Sequence, residues 1–194
     1  MSGTVERFLV VGLGNPGPGY ARTRHNAGFL ALDRLAEEEG LAFRRRGEAL
    51  LAEWDRGWLM KPLTYMNASG RAVAPFVRRK AIPLDRLLVV HDDMDLPLGR
   101  LRLKRGGSAG GQRGVASVIE ALGDPGFDRL RIGIGRPPPG VDPVDWVLSP
   151  FRPEEREVLA AVLGAAADAI RVWRVEGLAA AQSRFNGLDL REAR

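Results

Sequence analysis

The sequence predicts a single-domain α/β protein, a three-layer sandwich with a central mixed β-sheet flanked by helices. Three observations carry that prediction. Short apolar runs of strand length, Phe8 to Val11, Leu87 to Val90 and Leu130 to Ile134, alternate with longer stretches of helical periodicity. A hairpin signal and a strand of period two sit among them. The chain of 194 residues, 45% hydrophobic and 27% charged, has an ordinary soluble composition and can bury a core without covalent staples. Residues 1–194 are therefore read as one domain.

Taken in order, Phe8-Leu9-Val10-Val11 ends in glycine and reads as a buried strand feeding a turn. From Asn26 to Glu39, Phe29, Leu32 and Leu35 recur at helical spacing until Gly40 stops them. Leu50 to Trp54 and Trp58 to Lys61 flank Asp55-Arg56-Gly57, a hairpin. Asn67 to Arg79 reads as a helix capped by Asn67 or Ser69. Leu87 to Val90 is a buried strand running into His91-Asp92-Asp93. Arg100-Leu101-Arg102-Leu103-Lys104 alternates charge with leucine, a strand with one face on the core and one cationic face in solvent. The loop Gly106 to Gly111 leads into a helix from Arg113 to Leu122, and Leu130 to Ile134 is a further strand. Pro137-Pro138-Pro139-Gly140 opens an irregular surface segment, a loop or lid over 136–150. Helices then fill 153–186, a long one from Pro153 to about Val175 and a last one from Leu178 to Phe185.

Composition excludes several chemistries. Zero cysteine removes disulfides, thiolate zinc sites and a cysteine nucleophile. No run of about 18 apolar residues exists and the N-terminus lacks a signal-peptide layout, so a cytoplasmic protein is expected. The net charge of +5 suits a polyanionic partner such as nucleic acid or a membrane surface, and equally a solvated basic surface. Only Lys61, Lys80 and Lys104 are lysine among the basic residues. Arginine forks phosphate bidentately, but genome composition gives the same bias. With two histidines, the chain has few groups for acid–base work near neutrality. His25, beside Asn26 and just behind a glycine-proline turn, is the first candidate.

That turn, Gly12-Leu13-Gly14-Asn15-Pro16-Gly17, satisfies the spacing of a dinucleotide loop but not its physics. Such a loop starts a helix inside the turn and offers its amides to a pyrophosphate. Here Pro16 and Pro18 remove amide hydrogens, and helical periodicity begins only near Asn26. The cluster Asp92-Asp93-Asp95 admits two readings by itself, a polar turn or a magnesium site.

A longer series is specific. Gly12-Leu13-Gly14-Asn15-Pro16-Gly17 precedes Tyr20-x-x-Thr23-Arg24-His25-Asn26-Ala27-Gly28 and Lys61-Pro62-x-Thr64-Tyr65-Met66-Asn67-x-Ser69-Gly70. Then come His91-Asp92-Asp93-Met94-Asp95-Leu96-Pro97-x-Gly99, the glycine loop, and Leu130-Arg131-Ile132-Gly133-Ile134-Gly135. From Leu9 to Phe151 the chain resembles bacterial-type peptidyl-tRNA hydrolase. The resemblance implies a monomer without cofactor or metal, and without a membrane or an obligate protein partner. Its implied reaction cleaves the ester joining a peptide, or an N-blocked amino acid, to the 3′ adenosine of tRNA.

The same resemblance implies the roles. His25 is the base that activates water, and Asp92 fixes its tautomer and stabilises the imidazolium. Asn67 holds substrate and water, and Asn15 favours a blocked amino group. Tyr20 and Tyr65 line the channel for the tRNA end and the peptide, with Met66 packed there. Lys104 and Arg131 grip the tRNA 5′ phosphate. Each has a plainer reading: turn or cap asparagines, a core methionine, solvated cations.

One departure stands out: Gln112-Arg113 occupies the place where the family usually has His-Asn. Arginine donates hydrogen bonds but cannot accept them, so Arg113 is expected to contact substrate while the water-positioning role there is in doubt. That change alone favours the alternative reading, a catalytically silent RNA-binding relative such as a group II intron splicing factor.

Overall fold

The computed structural model describes residues 6–191. It is the expected α/β sandwich. Seven strands form one sheet in the order β2-β3-β4-β1-β5-β7-β6. The strands are β1 (Leu9–Gly12), β2 (Arg44–Arg46), β3 (Ala49–Trp54), β4 (Gly57–Pro62), β5 (Leu87–Asp93), β6 (Leu101–Arg105) and β7 (Asp128–Gly133). β4, β1, β5 and β7 run parallel; β2, β3 and β6 pair antiparallel at the two ends, so the sheet is mixed.

Two hydrophobic clusters fill the faces. On one, Val10, Leu88, Val90, Leu130 and Ile132 meet Leu32 and Leu35 of α1 (Ala27–Glu39) and Ile170 and Trp173 of α5 (Arg156–Glu176). Phe185 of α6 (Leu178–Phe185) completes that layer. On the other, Leu9, Val11, Leu87 and Val89 meet Val73 and Val77 of α2 (Gly70–Lys80) and Val115 and Val118 of α3 (Arg113–Leu122). The central strands read as unbroken apolar runs because both of their faces are covered.

Three expectations change. Neither Asn67 nor Ser69 caps α2: Ser69 donates back to the Met66 carbonyl, and the Gly70 amide donates to Ser117 Oγ of α3. A three-residue 3₁₀ turn, Met66–Ala68, precedes the helix instead. Second, the exposed edge strand Arg44–Arg46 was not foreseen, since three arginines show no hydrophobic alternation. Third, the segment 136–150 is not wholly irregular. It holds the short helix α4 (Pro143–Val147), whose first turn is capped when Asp142 accepts from the Val144 amide.

Candidate active site

The site lies at the C-terminal ends of β1, β4 and β5, where the parallel strands deliver their loops onto one rim of the sheet. A backbone-to-backbone approach sets its geometry. Gly28, in the first turn of α1, lies where a Cβ would stand 2.3 Å from the Val90 carbonyl oxygen and 2.6 Å from the Leu13 nitrogen. A Cβ on Gly12 would stand just as close to the Gly28 carbonyl oxygen, at 2.4 Å. Glycine is needed there because no side chain fits. The consequence is positional: α1 is pressed onto β1 and β5 close to His25 and Asp92.

His25 Nδ1 then lies 2.9 Å from Asp92 Oδ2. Asp92 is 3% exposed, and its other oxygen accepts from Gln112 Nε2 at 3.0 Å. A carboxylate only accepts, so Nδ1 carries the hydrogen and Nε2 of a neutral His25 is left as a lone-pair base. Gln112 was passed over in the sequence except as a departure from the family pattern. Its Oε1 also caps α3 by accepting from the Val115 amide, a dual use that N-cap position alone would have suggested only in part.

The asparagines divide their work. Asn15 Oδ1 accepts from the Met66 amide at 2.7 Å, while Asn15's own amide and carbonyl are clasped by the Asn26 side chain. The bond to Met66 holds the loop after β4 against the loop after β1. Tyr65, just before it, adopts φ 62° and ψ 158°, a region costly for any residue with a Cβ. Its ring is 55% exposed and meets Tyr20 edge-on at 6.3 Å.

Two cavities converge on His25 and Arg113. The first, about 230 Å³, runs past Asp92, Asp93, the glycine loop and Val144. The second, about 170 Å³, is lined by Asn15, Tyr65, Met66, Asn67, Val147 and Leu148 along with those two residues. Seven of the ten expected residues (His25, Asp92, Asn15, Asn67, Tyr65, Met66 and Arg113) therefore gather on these two cavities. Tyr20 lines neither, and meets the site through its ring contact with Tyr65. Lys104 and Arg131 lie apart, on a smaller cavity under the glycine loop that shares Asp93, Asp95, Ala109 and Gly110 with the first. Arg131 is not a free cation: its guanidinium pairs with Asp93. The aspartates of the 92–95 cluster turn to different partners, Asp92 to His25, Asp93 to Arg131 and Asp95 to Arg136.

The helix α4 forms one wall of both cavities and is tied down from below. Trp146 is buried and donates to the Gly135 carbonyl at 2.9 Å. The Arg24 guanidinium lies 3.8 Å from the Trp146 ring centroid and forks onto Glu155 at 2.8 and 3.0 Å. The residue beside His25 thus anchors the wall above it.

A family model described as peptidyl-tRNA hydrolase matches residues 9–193. The peptidyl-tRNA hydrolase of Thermus thermophilus is 61% identical over 183 residues, 94% of this chain and 98% of its own. That of Symbiobacterium thermophilum is 52% identical over 185 residues, covering 92% and 98%. The crystal structure of peptidyl-tRNA hydrolase from Acinetobacter baumannii superposes with a TM-score of 0.90 at 32% identity, over 98% of this chain and 100% of that one.

Proposed function

From the premise that this chain belongs to the peptidyl-tRNA hydrolase family and hydrolyses the peptidyl-tRNA ester, we propose that His25 is the general base and Asp92 its orienter. The observation that carries this is the 2.9 Å contact between His25 Nδ1 and a buried Asp92, at the junction of two cavities. Water between the scissile ester and His25 gives its proton to Nε2 as its oxygen attacks the carbonyl carbon. Asp92 then faces the imidazolium that forms and stabilises it. The proton returns to the leaving 3′ oxygen of tRNA as the tetrahedral intermediate collapses.

The amides of Asn67 and Asn15 meet the substrate's acyl part and the developing oxyanion, for which they offer donors without added charge. The second cavity, with Tyr65, Met66, Val147 and Leu148, suits an apolar peptide chain. The first suits the acceptor end, because it continues toward Lys104 and Arg131, our candidates for the 5′ phosphate. Arg113, exposed between the two cavities, contacts the substrate beside the ester. No cofactor or metal is assigned to this reaction. Among the described residues no helix is long and apolar enough to cross a membrane, and we infer that the enzyme works in the cytoplasm as a monomer. The silent-relative reading is set aside, since family membership carries the activity and the His25–Asp92 pair is intact.

The test is release of free tRNA from an N-blocked aminoacyl-tRNA. His25→Ala should lower turnover by ~10²–10⁴, the usual contribution of a general base, with tRNA affinity near normal. A loss below tenfold would reject His25 in that role.

A further inference from the structure

The second face of the sheet changes character between β5 and β6. Over β1 and β5 it is apolar and packs on α2 and α3. Over β7 and β6 it carries Arg129, Arg131, Arg102 and Lys104. The ladder sets His91 opposite Arg131, Arg131 opposite Arg102, and Arg129 opposite Lys104. The glycine loop closes over this patch, because buried Arg129 donates to the carbonyls of Ser108, Gly107 and Pro125 at 2.5, 2.8 and 2.9 Å. Beneath it is a cavity of about 40 Å³, large enough for an ordered water.

His91 lines that cavity and is 4% exposed. Its Nδ1 lies 2.8 Å from the Asp92 carbonyl oxygen. A carbonyl only accepts, so Nδ1 carries the hydrogen, and in the neutral ring Nε2 is a bare acceptor. That Nε2 is fully buried and has no partner among the described residues. Such a group is costly, by ~1–3 kcal/mol, and calls for an explanation. The charged groups facing it are Asp92 and Asp93 on β5, Asp95 in the following turn, Arg129 and Arg131 on β7, and Lys104 on β6. Burial first, and then Arg129, favour the neutral ring; the Asp92 backbone and the carboxylates of Asp92 and Asp93 oppose them only in part.

We propose that His91 is a specificity residue for the terminal phosphate. When a 5′ phosphate monoester docks on Lys104 and Arg131, His91 takes a proton from solvent. Its Nε2–H then donates toward the phosphate, directly or through the water the cavity can hold. No bond to phosphorus forms or breaks. The proposal rests on the assignment of Lys104 and Arg131 to that phosphate. A monoester brings a charge of about −1.5 to −2 near neutrality, enough to offset a buried imidazolium among three cations. A phosphodiester brings one negative charge, and a 5′ hydroxyl none.

Lys104 is the other titratable cation on this cavity, with burial, Arg129 and Arg131 lowering its pKa below the ordinary lysine value. The test therefore reads the imidazole itself. The chain has two histidines, so His25→Asn leaves His91 as the sole imidazole and also slows turnover. Imidazole ¹⁵N shifts would be recorded for this protein free, and with an acceptor-stem RNA bearing either a 5′ monophosphate or a 5′ hydroxyl. The expected result is a neutral Nδ1–H ring when free and with the hydroxyl RNA, and a doubly protonated ring with the monophosphate RNA. A ring that stays neutral while monophosphate RNA is bound more tightly than hydroxyl RNA would overturn the role of His91 alone. Equal affinity for the two RNAs would instead sink the assignment of Lys104 and Arg131. In a second measurement, His91→Gln should reduce the preference for monophosphate RNA by about tenfold, the scale of one charge-assisted hydrogen bond. Lys104→Arg, which cannot titrate, should keep the pH dependence of that preference. Loss of that dependence would assign the proton to Lys104 and refute the proposal.

Discussion

Asp92 is held at both carboxylate oxygens, by His25 on one side and Gln112 on the other. A carboxylate with a single partner can rotate; one with two cannot without losing a bond in a buried place. Gln112→Ala should therefore lower kcat about tenfold, the equivalent of ~1.4 kcal/mol, with KM little changed. It should also cost ~1 kcal/mol of stability through the lost α3 cap. Steady-state kinetics beside thermal unfolding separate the two effects, and an unchanged kcat would leave Gln112 as a cap alone. Tyr65 shows the same economy of position. Its strained backbone is retained because the Met66 amide is fixed on Asn15 and the Ala68 amide on the Tyr65 carbonyl, which leaves the ring projecting at the rim.

Between elements, the close contact of α1 with β5 is the decisive one. Gly28→Ala would force a methyl against the Val90 carbonyl, so α1 must back away from the sheet. Overpacking of this kind costs ~1–3 kcal/mol. The larger effect is on the His25–Asp92 separation, and turnover should fall by at least about tenfold while the protein remains folded. Full activity in a folded Gly28→Ala protein would mean that the contact does not set the dyad.

The tie between the His25 turn and the start of α5 is electrostatic. Burial alone would raise the Glu155 pKa, but the fork from Arg24 and the Arg152 amide outweigh it and hold the carboxyl below its usual 4.5. A depressed carboxylate stabilises the fold above its unfolded pKa, and that contribution disappears as pH falls through the folded value. Glu155→Gln should thus lower stability by ~1.5–3 kcal/mol at pH 7. The gap between wild type and variant should narrow as the pH falls below the unfolded value of 4.5 and through the folded pKa of Glu155. Melting curves from pH 7 downward check this, and a gap that stays constant as the pH falls through the carboxylate range would contradict it.

Across the whole molecule, charge and cavities share one direction. The small cavity with Lys104 and Arg131 shares lining with the one that holds Asp92 and His25, and this shares His25 and Arg113 with the cavity walled by Tyr65 and Leu148. A tRNA acceptor end laid along that path would meet cations first and apolar surface last. Substituting Lys104 and Arg131 together should weaken tRNA binding and flatten its log–log salt dependence by about 0.7–0.9 per lost contact. The Asp93 partner of Arg131 makes its share the smaller of the two. An unchanged slope would make both residues surface decoration.

The fold class and most strands and helices were legible along the chain, as were the seven candidate residues that gather on the two larger cavities. Strand and helix periodicities are local, and the glycine-flanked motifs keep their order from Gly12 to Gly135. The edge strand Arg44–Arg46 was not legible, because an exposed strand needs no apolar alternation. Nor was it legible that Ser117 caps α2, that Gln112 clamps Asp92, or that Tyr20 stands outside the cavities. Those facts depend on which loops meet across the rim. That Arg131 is already paired, and that His91 ends in a buried nitrogen with no partner among the described residues, emerged from the folded molecule alone. Both follow from register between β5, β7 and β6, strands far apart in sequence whose side chains share a face only after the sheet forms.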